Sequence, residues 1–337
     1  MTPRLRLRLP LLALLLAVVT AGSLFLGAAP IAPGRVLRAL LHPQSPDPAA
    51  ALVLQIRLPR ILLALLVGAA LSLSGALLQA FFQNPMAEPY VVGVSSGAGL
   101  AAVAALTLGL TFHLGPLDSV SLAAFLGGIL AVALVYALAR GIRTLRAEGL
   151  LLIGIAVGSV CAALTSLLLV FSRNGIQEAL FWMMGSFAAA RWPMVLILAV
   201  VVVLAGTRAL FLGRELNVLL WGEEVALSLG SPVPRVRVWV LVLSSLLTAF
   251  SVAACGVIGF VGLMVPHLAR GILRTADHRF ILPGSALIGG TLMLLADAVA
   301  RTALAPQELP VGAITSTLGA PFLVWLVVRR HRRIAGS

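Results

Sequence analysis

The sequence reads as an all-α membrane protein of about ten transmembrane helices, on three observations. Of the 337 residues 61% are hydrophobic and only 10% charged, with mean hydropathy +1.10, whereas soluble domains carry roughly 25% charged residues. Apolar runs of about 20 residues recur along the chain, each long enough at 1.5 Å rise per residue to cross a ~30 Å hydrocarbon core. The formal charge of +13 comes from arginine alone, because the sequence contains no lysine. Those arginines sit at the ends of the apolar runs, where membrane topology needs them and nucleic-acid binding does not.

The stretch that organises the chain is 57–99. Arg57 and Arg60 stand either side of Leu58-Pro59, and the run that follows, 61–82, has no ionisable group. The polar turn Gln83-Asn84-Pro85-Met86-Ala87-Glu88-Pro89 cannot continue a helix, so the chain reverses and a second apolar run begins at Tyr90. The first span, 9–29, follows Arg4, Arg6 and Arg8. That cluster resembles the basic region of a signal peptide, but the run is too long for one and Pro30 follows it. The remaining spans are expected at 90–110, 119–139, 149–171, 192–211, 236–255, 257–273, 282–303 and 311–328. The seventh and eighth share one nearly continuous run, so a tight reversal at Gly256 and Gly259 is expected between two short helices. Small residues within the spans, as in Gly68-Ala69-Ala70 and Gly97-Ala98-Gly99, suit close helix packing.

Arginine counting orients the bundle. With the N-terminus inside, seventeen of the 24 arginines fall at inner ends. The seven outer ones are Arg35, Arg38, Arg57, Arg60, Arg173, Arg191 and Arg301. Both termini then face the cytoplasm. One inner segment, 213–235, is long enough to act on its own. Glu215 to Leu220 fits a short helix broken by Gly222. Glu223 and Glu224 suit the first turn of a second, which Gly230, Pro232 and Pro234 end. Taken alone it is either an amphipathic helix on the membrane surface or a docking platform for a partner.

Other features exclude chemistry. Without lysine there is no G-x-x-x-x-G-K-[ST] phosphate loop, so ATP-driven work needs a separate ATPase. Cys161 and Cys255 lie inside apolar runs and fit neither a disulfide nor a zinc spacing. Gly93-Val94-Ser95-Ser96-Gly97 fits G-x-S-x-G, but a hydrolase elbow needs a strand-turn-helix setting, and this serine opens a membrane helix. His267, after Pro266 near a helix end, reads as structural before it reads as a substrate contact or gate.

Taken together, the motifs carry a family resemblance. They are Arg57-Leu58-Pro59-Arg60, Ser74-Gly75-Ala76, Asn84-Pro85-Met86-Ala87-Glu88-Pro89 and Gly93-Val94-Ser95-Ser96-Gly97-Ala98 in the first third. Later come Leu216-Asn217, Gly222-Glu223-Glu224, Gly256-Val257-Ile258-Gly259-Phe260-Val261-Gly262-Leu263 and Pro266-His267-Leu268-Ala269-Arg270. Asp277-His278-Arg279, Pro283-Gly284, Ala296-Asp297 and Glu308-Leu309-Pro310-Val311-Gly312 complete the set. In this order and spacing the chain resembles, from end to end, the permease subunits of type II ABC importers for iron-siderophore complexes, haem and vitamin B12.

The resemblance implies one transmembrane domain over 1–337 and a homodimer around a central pathway in the inner membrane. It implies two copies of an ABC ATPase inside and a substrate-binding protein, soluble or lipid-anchored, outside. Arg57, Arg60 and Arg301 match the family's docking arginines for that carrier. Interfacial snorkelling and, for Arg301, an i,i+4 pair with Asp297 are the plain alternatives, and Asp297 is able to aim the guanidinium outward. Glu215, Leu216, Asn217, Gly222, Glu223, Glu224, Leu229 and Gly230 match the ATPase-coupling element, with Glu223 and Glu224 its expected polar contacts. Asn84, Pro85 and Met86 match a cytoplasmic gate. A second gating turn would fall near Ala147-Glu148, where the sequence departs from the small hydroxyl residues expected, so no gate role carries over. No catalytic residue, metal ligand or cofactor is implied. The cargo is expected to be an iron chelate (siderophore or haem) or, alternatively, cobalamin. A rival of another class is an ion-coupled secondary transporter, which needs an ionisable group at mid-membrane; Asp297 is the carboxylate lying well inside a span.

Overall fold

The computed structural model describes residues 3–335 apart from 28, 45, 116, 141–146 and 173–175. Arg143, Arg146 and Arg173, and the turn between the fourth and fifth spans, lie outside the described residues. Seven described helices are long and apolar enough to cross a bilayer, and three shorter apolar ones, Leu7–Ser23, Val94–Thr107 and Val261–Leu273, accompany them. Each of the ten expected spans finds one of these helices.

The chain opens with α1 (Pro3–Ser23), then α2 (Pro33–Leu41) and α3 (Pro48–Ala51), whose first turn Asp47 caps by accepting from Ala49 N at 2.9 Å. A π-helical turn, Leu52–Arg57, joins α3 to α4 (Leu58–Phe81) without interruption. The second span therefore starts well before residue 61, and Arg57 and Arg60 lie inside a continuous helix. The wide turn is the physical reason: Leu58 N reaches back to Val53 O, which loosens the ladder where Pro59 has no N–H to give. Trp192 Nε1 donates to Leu54 O at 3.0 Å and satisfies one carbonyl of the widened turn.

Next come α5 (Val94–Thr107), a two-strand hairpin (His113–Leu114 with Leu117–Asp118), α6 (Ser119–Arg140) and α7 (Ala147–Phe171). A short α8 (Ile176–Met183), not expected from the sequence, precedes α9 (Trp192–Phe211). The segment between the sixth and seventh spans holds α10 (Gly213–Leu219) and α11 (Glu223–Ser228), broken at Gly222 with φ +105°. Pro232 and Pro234 lie at the start of α12 (Val233–Cys255), where a missing N–H costs nothing. The chain ends with α13 (Val261–Leu273), α14 (His278–Thr302) and α15 (Val311–Ala335).

The centre of the bundle is α4, packed by α9, α12, α13 and α14. Its span is 83% buried, against 22% for α7 and for α15. Glycine makes the crossings close. A Cβ on Gly75 would stand 1.9 Å from Gly262 O, and one on Gly68 2.2 Å from Gly289 O, so α4 meets α13 and α14 backbone to backbone. Gly97 and Gly127 do the same between α5 and α6, which gives the serine-glycine motif at 93–97 a packing role. Ser74 ties α4 to α12 through Ser244 O (3.0 Å) and Thr248 Oγ1 (2.8 Å).

The expected reversal at Gly256 and Gly259 takes another form. Residues 256–260 are non-helical, and the left-handed positions are Gly256 (φ +75°) and Phe260 (φ +67°) rather than Gly259. A Cβ at Gly256 would stand 2.0 Å from Trp182 O, so only glycine fits that end. Backbone without a helical ladder needs partners when buried in protein within a membrane. Here the turn after α4 supplies them: Phe260 N donates to Glu88 Oε1 at 2.6 Å, and the Tyr90 hydroxyl accepts from Ile258 N (3.0 Å) and donates to Ile258 O (2.6 Å).

Candidate functional site

Two groups of sequence-flagged residues assemble at opposite ends of α14. Toward its C-terminus, Asp297 is fully buried between two guanidinium groups. Arg60 Nε donates to its Oδ1 at 2.9 Å, and Arg301 Nε lies 3.0 Å from its Oδ2 as an i,i+4 neighbour. Arg60 also donates from Nη1 to both Glu308 oxygens, at 2.8 and 2.9 Å. Arg57 donates to Leu24 O (2.9 Å) and to Ala29 O, and Arg301 to Leu26 O (3.0 Å). The loop after α1 is thus pinned by both.

The three arginines come together, but not as an open rim. Their exposures are 5% for Arg57, 6% for Arg60 and 3% for Arg301. Asp297 draws the Arg301 guanidinium inward to the loop carbonyls instead of aiming it outward. Two guanidiniums and two carboxylates balance one another, so the cluster of Arg60, Arg301, Asp297 and Glu308 carries no net charge. Its accessible member is Glu308, about a third exposed, a residue quoted as a motif but given no role by sequence reasoning. Its signal was faint, since Glu308 lies 248 residues from Arg60. A cavity of about 570 Å³ opens beside Glu308, between Asp118, Glu178, Trp182, Arg191 and Cys255.

At the other end of α14, Asp277 caps the first turn by accepting from Arg279 N at 3.0 Å. The Arg279 side chain beside it, helped by Asn217, pulls its carboxyl down to about 2. Asn217 Nδ2 donates to Asp277 Oδ1 (2.7 Å), while its own oxygen accepts from His278 N (2.8 Å). Leu216 is fully buried and Glu215 half-buried. Glu215, Leu216 and Asn217 therefore belong to the face of α10 that seats it on the bundle.

The free face comes from the residues beyond them. Gly222, Glu223, Glu224, Leu229 and Gly230 follow the buried anchor, and Glu223 is held by Arg237 Nη2 at 3.0 Å. Around them Leu220, Trp221, Val225, Leu227 and Leu229 stand out as an apolar patch, Trp221 being 79% and Leu229 68% exposed. Sequence reasoning found Leu229 and missed Trp221. The signal was there, a tryptophan directly before a helix-breaking glycine, but the carboxylates drew attention from it.

The expected gate turn lies against this segment. Asn84 Oδ1 accepts from Met86 N (2.9 Å) and Asn84 O from Ala87 N (3.1 Å), an Asx turn closed by its own side chain. Asn84, Pro85 and Met86 are half-buried. Gln83, just before them, donates from Nε2 to Leu219 O at 2.6 Å. Burial pushes the Glu88 carboxyl above its ordinary range. His267 is half-buried within α13, its Nδ1 3.3 Å from Leu263 O.

About 20 residues of α14 separate Asp277 from Asp297, some 30 Å at 1.5 Å per residue, the thickness of a hydrocarbon core. The two groups therefore face opposite sides of any membrane the bundle spans.

Comparison with known proteins gives the family. The FecCD transport family matches residues 14–329. The cobalamin import system permease BtuC of Halobacterium salinarum is 46% identical over 86% of this chain and 76% of its own length. The hemin transport system permease HmuU of Yersinia pestis is 38% identical over 98% of both chains. A solved structure described as an inward-facing metal-chelate type ABC transporter superposes with a TM-score of 0.83 at 36% identity, over 95% of this chain and 98% of the other. The chain belongs to the FecCD transport family, as a multi-pass permease subunit of an ABC importer that works with an ATPase and a substrate-binding partner.

Proposed function

We propose that the chain moves a large metal chelate (haem, an iron-siderophore complex or cobalamin) across the inner membrane by alternating access. It acts as one half of a homodimer, as a single permease domain over 1–337, and catalyses no reaction itself. The apolar patch of Leu220, Trp221, Val225, Leu227 and Leu229, with Gly222, Glu223, Glu224 and Gly230 around it, receives the ATPase. Glu215, Leu216 and Asn217 anchor that platform. Asn84, Pro85 and Met86 form the inner gate. Arg57, Arg60 and Arg301 build the outer docking face for the carrier protein, as the frame that positions Glu308 and the loop after α1. The cargo class is supported by relatives that carry cobalamin and hemin in their names.

The single observation that carries the reading is the ~30 Å separation of the two groups along α14. An importer driven from one side and loaded from the other needs both. The ion-coupled rival loses its main support, because Asp297 is engaged by Arg60 and Arg301.

The test is uptake into proteoliposomes holding the permease with its co-expressed ATPase and carrier, using haemin and cyanocobalamin as separate probes. Uptake of one probe that needs ATP inside and the carrier outside is expected. Uptake driven by a proton gradient without ATPase overturns the reading.

A further inference from the structure

The eight residues 83–90 between α4 and α5 are bonded to two elements, α10 and the break between α12 and α13. At one end Gln83 Nε2 donates to Leu219 O at 2.6 Å, the carbonyl at the C-terminus of α10, which also accepts from Gly222 N at 3.0 Å. At the other end Glu88 and Tyr90 hold the peptide groups of Ile258 and Phe260 in the break between α12 and α13. Gln83 itself stands at φ +48°, a left-handed conformation that a non-glycine residue rarely adopts. The second short helix joins the same corner: Glu223 of α11 binds Arg237, whose guanidinium lies 5.6 Å from the Phe81 ring in the last turn of α4.

Each contact does one thing. The helix break has lost its ladder, and Glu88 and Tyr90 supply the side-chain hydrogen bonds to its Ile258 and Phe260 peptide groups. The position of Glu88 and Tyr90 follows the Asx turn at Asn84, a compact unit closed on itself. Gln83 is the hydrogen bond that fixes that unit to the α10–α11 segment. A displacement of α10 along the bond moves the turn, and the turn moves the break. This is a contiguous set of contacts with a hydrogen bond at its head; it transmits motion if the turn has two discrete arrangements that the bond selects between.

We propose that Gln83 is the positioning residue that transmits movement of the α10–α11 segment to the 84–90 turn and onward to the break at 256–260. The proposal rests on the reading of α10–α11 as the ATPase platform, and its test keeps the two apart.

The permease–ATPase complex is prepared with Cys161→Ser, Cys255→Ser and a reporter Met86→Cys. Labelling of the reporter by a charged maleimide is timed without nucleotide and with ATP plus vanadate. With Gln83 present, a change in labelling rate of at least fivefold is expected. Gln83→Leu removes the donor and is expected to flatten that change below twofold while ATPase co-purification and hydrolysis stay within twofold. Gln83→Lys restores a donor toward Leu219 O and is expected to restore the response. A full response in Gln83→Leu overturns the proposal, as does a reporter indifferent to nucleotide when Gln83 is intact. Loss of ATPase binding in Gln83→Leu overturns it too, because the residue would then be structural. If Trp221→Ala leaves ATPase binding unchanged, the platform reading fails on its own account.

Discussion

At the scale of single residues, Asp297 decides most. It is fully buried and is paired with two guanidiniums, one of which, Arg60, also binds Glu308. Removing one member of a buried ion network leaves a charge uncompensated, at about 3–5 kcal/mol. Asp297→Asn is therefore expected to lower permease stability by about that much in thermal unfolding, and Asp297→Asn with Arg301→Gln to recover part of it. Reversing Arg301 to Glu is expected to weaken carrier capture in a pull-down and to destabilise the permease with it, because the residue is buried. Equal stability of all three variants counts against the network. The local half of this cluster was legible, since Asp297 and Arg301 stand four apart on a helix. The Arg60–Asp297 bond spans 237 residues of sequence, and the orientation of a guanidinium depends on carbonyls in a loop no local pattern predicts.

Among helices and turns, glycine contacts govern how the central helix sits. Gly75→Ala on α4 drives a methyl group into Gly262 O, so α4 and α13 must part. Overpacking of this kind costs about 1–3 kcal/mol, read as a lower unfolding temperature. Gly271→Ala on the exposed face of α13 meets nothing within 4 Å and is expected to be neutral or slightly stabilising, by up to about 1 kcal/mol. Equal effects of the two would dismiss the close crossing. Hydropathy gave away a helix at each of the ten expected positions, seven of them long and apolar enough to cross a bilayer, because burial in lipid is a property of composition. The glycines placed the break at 256–260 but not its left-handed turn at Phe260, and nothing local announced the π turn before Leu58. Both exist because remote groups, Glu88, Tyr90 and Trp192, satisfy backbone that the local sequence leaves open.

For the whole molecule, the two ends carry different surfaces. One end buries three arginines, two of them balanced by Asp297 and Glu308, beside a cavity, and the opposite end raises an apolar patch on two short helices. An exposed tryptophan at the middle of such a patch behaves as an interface hot spot, worth about 2 kcal/mol or more. Trp221→Ala is expected to weaken ATPase binding about thirtyfold, measured by co-purification at graded salt and by calorimetry. Glu224→Gln, on the rim, is expected to change it severalfold at most. A Trp221→Ala permease that binds as tightly as the parent would move the platform elsewhere. The two short helices around Gly222 were readable from that glycine and the paired glutamates. The chemistry of their surface was not, because the exposure of Leu220 and Trp221 depends on which face of α10 the buried Leu216 turns inward.

One helix, α14, joins the two groups: Asn217 is bonded to its first turn and Arg60 to Asp297 near its C-terminal end. A stiff rod some 30 Å long converts rotation at one tip into travel at the other, so leaning by about 10° sweeps the far tip through about 5 Å. A tilt begun at the Asn217 tip thus reaches the loop bonded to Arg301 only if the glycine crossing of α14 on α4, Gly68 against Gly289, slides with it.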